Sequence, residues 1–515
     1  MATQAMGGRR WGNAAGGLLP LALILGSSPA AGKWALAPEI TVREIYTDNA
    51  SLSDPRPRSD FITQVTPRIV SYSEGARFNS NLDYSADILR YSRNSQGNRV
   101  ANHLNAVGSL EAVERFFFVD VNGNIDQAFI SPLAPQPIDI STVTANRIET
   151  RTLGISPYVL GQAGDGLSYE LRNRSQWTKT NDSLLPSART AQYTGRLASP
   201  VRLFGWTLDY HNTKISYSNS DARPDLTSSL LRGKAYFQPD AAWQFSASAG
   251  SERNNYALQQ DRRSYYSRGA GLAWRPGPLT SAELEVERRF FGTARLARLD
   301  HRTRLTAWTF EYSRNISNFQ TELLRPPPGN TTALLDSVFA ARYADPTERR
   351  AAVAQFMRAS GSAPFLASSL AFFTQQVFIE ERLEASVAIL GRRNSVAFTV
   401  FEQRITPLSA STGAVAQDVL LQASRLSQRG LGIAFNHAVT PFTSVEASAR
   451  RTYARQENPS TADSRNDYLA LTLTKTLSRR TNAFSGVSSM RFSASPPMPG
   501  TNNVRLAFVG LNIRF

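Results

Sequence analysis

Apolar and polar residues take turns along this chain, for roughly ten to fourteen residues at a time, in segment after segment. "RFNSNLDYSADI" sets Phe78, Leu82, Tyr84, Ala86 and Ile88 against Asn79, Asn81, Asp83, Ser85 and Asp87. "RFFFVDVNGNID" sets Phe117, Val119, Val121 and Ile125 against Asp120, Asn122, Asn124 and Asp126. The same rhythm puts Arg172 and Arg174 opposite Leu171, Glu285 and Glu287 opposite Leu284 and Val286, and Glu380, Arg382 and Glu384 together on one face. A period of two means strands with one greasy and one wet side. Such strands suit a two-sided sheet and exclude a helical bundle.

The punctuation between segments alternates as well. Short reversals rich in Gly, Pro and Asp fall at 72–77, 113–115, 161–166, 198–202, 238–242, 275–279, 313–317, 391–394, 440–442 and 478–481. Longer polar loops are expected at 129–146, 178–189, 218–225, 254–264, 292–302, 325–375, 405–427, 456–466 and 493–503. Short turns on one side and long loops on the other describe a membrane-spanning barrel. Aromatics gather beside the short turns: Tyr72, Phe116, Phe204, Trp243, Trp274 and Phe442 are read as a girdle at the lipid–water boundary. A soluble sandwich would concentrate them mid-strand, facing the second sheet. A β-helix would show a short repeat of about 20–25 residues, and none is evident. The expectation is one all-β fold over 32–515: a single large antiparallel transmembrane β-barrel of about 22 strands, within a range of roughly 18–26 and even in number. Its first strand is "ITVREIYTD". At about 4.8 Å per strand and about 40° of tilt it would be roughly 40 Å across, too wide for wall side chains to fill.

Residues 1–31 read as a signal peptide: Arg9 and Arg10, an apolar stretch over Gly16–Gly26, then small residues from Ser27, with cleavage near Ala30 or Ala31. Ala35-Leu36-Ala37 also fits a cleavage rule, and an uncleaved anchor is the alternative. The last segment, "VRLAFVGLNIRF", aligns Val509, Leu511, Ile513 and Phe515 on one face. That row resembles the strand read by the outer-membrane barrel assembly machinery of Gram-negative bacteria, which implies outer-membrane lipid and lipopolysaccharide as surroundings. The chain holds no cysteine, and a closed sheet needs no disulfides to protect an edge. Net charge is +16, carried by 52 arginines and 5 lysines. A GC-rich genome explains the arginine bias. Attraction to anions, lipopolysaccharide phosphates or an acidic exopolysaccharide, is the functional alternative. Nucleic acid is not expected as a partner of an exported chain.

Residues 325–375 are the candidate plug. "RPPPGN" opens the insert, and "DPTERRAAVAQFMRASG" carries helix signals: Asp345 as N-cap, Pro346 in the first turn, Glu348 completing a capping box, Gly361 at the end. Val353, Phe356 and Met357 form its apolar stripe. A gate inside the lumen and a helix decorating an outer loop are both open readings. No enzyme is expected. His103, His211, His301 and His437 are scattered, no metal-ligand spacing or nucleophile motif occurs, and no catalytic residue, metal or cofactor is assigned. A barrel-wall hydrolase is the least favoured reading.

"ITVREIYTDNASL", "SDFITQVTPRIVSYSEGARFNSNLDYS" and, later, "EYSRNIS" resemble a family of large outer-membrane β-barrels associated with PEP-CTERM/exosortase sorting systems. The resemblance implies a Gram-negative outer-membrane location and genomic company with exopolysaccharide production. It transfers no site residue. Two functions compete: a pore or secretion channel for polysaccharide or another polar solute, and a non-conducting structural or adhesive barrel whose long loops bind glycan or a partner.

Overall fold

The computed structural model describes residues 33–515 other than 53–55, 165, 182–186, 219–224, 257–262, 325–334, 337–348, 350–352, 354–373, 375, 409–424, 458–461 and 496–499. The first half holds β1 (Lys33–Thr47), β2 (Asp60–Glu74), β3 (Phe78–Tyr91), β4 (Arg99–Val113), β5 (Phe117–Phe129), β6 (Arg147–Ala163), β7 (Leu167–Thr180), β8 (Ala188–Ala198), β9 (Phe204–Tyr217), β10 (Leu226–Phe237) and β11 (Trp243–Asn254). Then come β12 (Arg263–Gly277), β13 (Thr280–Arg289), β14 (Gly292–Arg302), β15 (Thr306–Ser317), the short helix α1 (Phe319–Leu324), β16 (Phe378–Leu390) and β17 (Asn394–Pro407). The last five are β18 (Arg425–Thr440), β19 (Thr443–Glu457), β20 (Ala462–Thr476), β21 (Thr481–Ala494) and β22 (Gly500–Arg514).

Every strand pairs antiparallel with its chain neighbours, and β1 also pairs with β22, Val42 opposite Leu511 and Thr41 opposite Asn512. The 22-stranded sheet thus closes with no free edge. The fold class and the strand count are those the alternation implies. Because the count is even, β1 begins and β22 ends at one rim. That rim holds the short connections, from 278–279 to the five residues 238–242, and is called the turn rim. The other, the loop rim, holds 48–59, 130–146, 318–377 and 408–424 among its eleven connections.

One stretch departs from expectation. Residues 292–302, read as a loop, are β14, and 313–317, read as a turn, lie inside β15. The apolar residues of β14 change face midway: Leu296 shares the inner side with Glu285, and Leu299 shares the outer side with Ala282. That switch hides the period. The true reversals are 290–291, where Gly292 takes a φ of 107°, and 303–305, where Thr303 accepts the amides of Leu305 and Thr306. A φ in that range is strained for any residue with a Cβ. Two loop-rim connections are also shorter than expected, at 458–461 and 495–499.

The outer face is a band of exposed apolar side chains, among them Val121, Leu171, Leu231, Leu284, Leu469 and Val509. In water so continuous a patch would drive association, whereas lipid solvates it. No described helix is long and apolar enough to cross a membrane; these strands are suited to do so.

Candidate functional site

The inner face forms a wide, charged lumen. Alternation and register place Asp120, Asp126, Arg172, Arg174, Glu285, Glu287, Glu380, Arg382 and Glu384 on it. Many are tied to partners that sequence reading had not singled out. Arg172 bridges Asp120 at 2.8 Å and Glu170 at 2.7 Å, with its guanidinium 3.6 Å from the centre of the Tyr158 ring. Asp126 and Asp87 flank His103 at 3.7 and 3.2 Å. Glu380 accepts the Gln403 amide at 2.5 Å, and Arg382 reaches Glu384 at 3.5 Å. Beside the barrel seam, Arg68 joins Asp83 and Glu39, and Glu39 also meets Arg514 at 3.1 Å.

From β10 to β13 the ties span three strand spacings. Arg232 reaches Glu287 at 3.1 Å and Lys234 reaches Glu285 at 2.5 Å, both crossing β11 and β12. The floor between them is Ser248, Gly250, Ser267, Gly269 and Gly271. A Cβ on Gly269 would lie 2.6 Å from the Val286 carbonyl and 2.8 Å from Ser248 Oγ; one on Gly271 would lie 2.6 Å from Ser246 Oγ. Small residues there let long charged side chains lie flat on the wall. Nearby, Arg289 holds the buried Glu252 at 2.7 Å.

Two loop-rim connections enter the lumen. Residues 130–146, expected as a polar loop, fold inward. Ile140 and Val143 pack on an apolar patch of inner-face residues that includes Ile45, Ile62, Leu89, Met490 and Leu506. Asp139 pairs with Arg43 at 2.8 Å, and the Tyr91 hydroxyl donates to the Ser141 carbonyl at 2.7 Å. Arg99 donates to the Ile140 carbonyl, and Arg147 to that of Pro137. From β20, Ser464 and Asn466 donate to the carbonyls of Pro132 and Gln136. Burial alone would raise the Asp139 carboxyl; Arg43 together with the Ser141 hydroxyl and amide outweighs it and holds the group below its ordinary value. The signal was present: Leu133, Ile138, Ile140 and Val143 make 129–146 too apolar for an outer loop.

The second is 318–377. Phe319, 2% exposed, packs on Ala128 and Ile148 of β5 and β6, on the arc facing β15. Glu322 of α1 lies 3.9 Å from Arg382. Farther on, Val353, 1% exposed, and Leu335 pack with Ala307, Ala388 and Leu390 at the turn rim, the opposite end of the lumen from where the segment leaves the wall. Arg349 pairs with Asp336 at 2.9 Å. Phe356, Met357 and most of the expected helix lie outside the described residues, as do 1–31 and the cleavage site.

On the outer face at the turn rim, Trp243 and Trp274 lie 5.8 Å apart and Phe204 is 5.3 Å from Phe237. Phe116 and Phe442 are exposed in the turns themselves. Tyr72 differs: the register of β2 puts it on the lumenal side with Arg68, opposite Asn81. Val509, Leu511, Ile513 and Phe515 line the outer side of β22 and its end, matched on β1 by Ile40 and Val42.

Residues 29–131 match the family model described as "Putative beta-barrel porin 2". No curated protein matches the sequence. Among solved structures, the siderophore receptor PirA from Pseudomonas aeruginosa is 9% identical with a TM-score of 0.40, over 93% of this chain and 80% of that one. The anion-selective porin from Comamonas acidovorans is 9% identical with a TM-score of 0.32, over 94% of this chain and 100% of that one. The FrpB iron transporter from Neisseria meningitidis (F5-1 variant) is 9% identical with a TM-score of 0.40, over 93% and 82%. The closed sheet with its apolar outer face, together with the match over 29–131, makes the chain a porin-like β-barrel of the outer-membrane type.

Proposed function

We propose that this barrel is an outer-membrane channel for a polar solute, narrowed from within by 130–146 and 318–377 and linked to the export or organisation of extracellular polysaccharide. One observation carries the reading: a closed wall whose inner face is polar and charge-paired while its outer face is apolar. A structural barrel has no need of interlocked charges along a wide inner wall. Because carboxylates and guanidinium groups alternate there, the channel is expected to show modest ion selectivity. Export by residues 1–31 and assembly through the β22 row of Val509, Leu511, Ile513 and Phe515 belong to the same reading. So do the girdle role of the turn-rim aromatics and the plug role of Val353, Phe356 and Met357. The polysaccharide link rests on family resemblance and on the cationic surplus, which suits an acidic glycan. The non-conducting alternative is favoured by the lumenal packing of Ile140, Val143, Phe319 and Val353. Planar-bilayer recording separates them. Steady open steps of nanosiemens size, larger after deletion of 326–374, support the channel. Silence that persists after that deletion refutes it.

A further inference from the structure

The two ends of the outer face differ in charge. At the turn rim it carries Trp34, Phe204, Trp243 and Trp308. At the loop rim it carries a belt of arginines. Arg268 lies directly opposite Arg288, and Arg295 directly opposite Arg314. Like charges facing each other across a ladder repel; Glu381 meets Arg314 at 2.8 Å, while among the described residues no carboxylate bridges Arg268, Arg288 or Arg295, so this belt calls for further anions.

One sector of the belt is built as a seat. On β17–β20, Arg404, Arg425, Arg429, Arg455 and Arg465 surround a polar cavity of about 580 Å³ on the outer face. Glu402, Glu457 and Asp463 pair with Arg404, Arg425 and Arg455 at 2.6, 3.5 and 2.7 Å. Arg465 pairs with Asp467 at 2.5 Å. Among the described residues no carboxylate bridges Arg429, whose guanidinium rests 5.3 Å from the Tyr453 ring. The lining sets Arg404, Arg425, Arg429, Arg455 and Arg465 against Glu402, Glu457 and Asp463, and Asp467 beneath it is shared with Arg451, so the cavity keeps a cationic surplus. Two residues down the same strands the charge ends. Leu431 follows Arg429 on β18, Ala449 follows Arg451 on β19, and Leu469 follows Asp467 on β20. There an apolar depression of about 850 Å³ opens on the outer face, with Ala447, Ala449 and Ala507 contributing small residues and Phe435, Leu469 and Tyr46 larger ones.

We propose that this column binds one phosphorylated glycolipid of the outer leaflet, its phosphates on the arginine seat and an acyl chain in the depression below. The guanidinium fork matches phosphate oxygens in pairs, and the small-residue groove supplies the apolar track that a free anion does not use. The inference rests on the outer-membrane reading above, with the loop rim in the outer leaflet.

The test uses the full chain in mild detergent, with binding to purified lipid A followed by native mass spectrometry. One bound lipid A is expected. The Arg425→Ala/Arg429→Ala/Arg465→Ala variant should weaken it at least tenfold. Ala449→Trp, which fills the groove and leaves the seat intact, should weaken it severalfold. Phosphatidylglycerol and inorganic phosphate should bind at least tenfold more weakly than lipid A. Unchanged lipid A binding in the triple variant overturns the proposal, as does equal binding of phosphatidylglycerol or of inorganic phosphate. Heat-modifiable gel migration and bilayer conductance of each variant, together with surface labelling of an epitope in 408–424, report separately on the barrel and its orientation. A protein that conducts and displays its loops but ignores lipid A defeats this proposal alone.

Discussion

Two arcs of the lumenal wall solve the same problem in opposite ways. From β21 through the seam to β3, the loop-rim end of the inner face carries an apolar patch: Ile45, Ile62, Leu89, Met490 and Leu506 are buried beneath Ile140 and Val143. From β10 to β13 the inner face is a floor of Gly and Ser crossed by Arg232–Glu287 and Lys234–Glu285. The first arc recruits a loop because apolar side chains facing a wet lumen must be covered. The second needs no cover, because its polar groups satisfy one another. The inward fold of a loop is therefore written in the wall it packs on as much as in the loop.

The largest expected effects fall on the apolar faces. Leu506→Ala removes a buried side chain from the capped arc and should cost about 2–4 kcal/mol, read as a lower denaturant midpoint in guanidinium unfolding. Leu231→Arg, mid-strand on the lipid face, should cost about 2–4 kcal/mol in lipid vesicles. If the same change were neutral there, the outer face would not be facing hydrocarbon. Gly269→Val on the polar arc should cost about 1–3 kcal/mol by crowding Val286 and Ser248. It should also alter ion selectivity by lifting Arg232 and Lys234 off the wall.

Acid acts on the capped arc through Asp139. Its carboxyl titrates lower in the folded barrel than its unfolded value of about 3.9, so its contribution is present above that pH. The contribution is lost only as pH falls through the lower, folded value. Anchoring of 130–146 should hold from neutral pH down to about pH 4 and loosen below it, seen as pepsin cleavage within the loop. Asp139→Asn should bring cleavage by a neutral protease to pH 7. The smallest effect is expected at exposed pairs: Arg298→Ala, which frees the half-exposed Glu311, should shift stability by about 0–1 kcal/mol.

Much of this fold was legible in the sequence because period two survives wherever one face meets lipid and the other water. The strand count and most turn positions follow from it. It fails where a strand's apolar residues change sides, as in β14, and where apolar residues face inward, as Ile62 does in "FITQV" and Met490 and Phe492 do in "MRF". There Ile62 and Met490 face inward to meet a loop, a partnership that no local pattern announces. Tyr72 shows a related limit: nearness to a turn does not say which face a side chain takes. The arginine seat was hidden for another reason. Its members come from four strands, Arg404 to Arg465, and share a surface only after the sheet forms.

The central claim is that solute passes along the polar arc, inside a wall whose alternate residues face lipid. The absence of native cysteine makes single thiols clean reporters. Ser248→Cys and Ala249→Cys, adjacent on β11 and on opposite faces, are to be compared in planar bilayers with a membrane-impermeant charged thiol reagent. Stepwise loss of current for Ser248→Cys and none for Ala249→Cys is the predicted result. Equal block of both, or block of Ala249→Cys alone, would contradict the account.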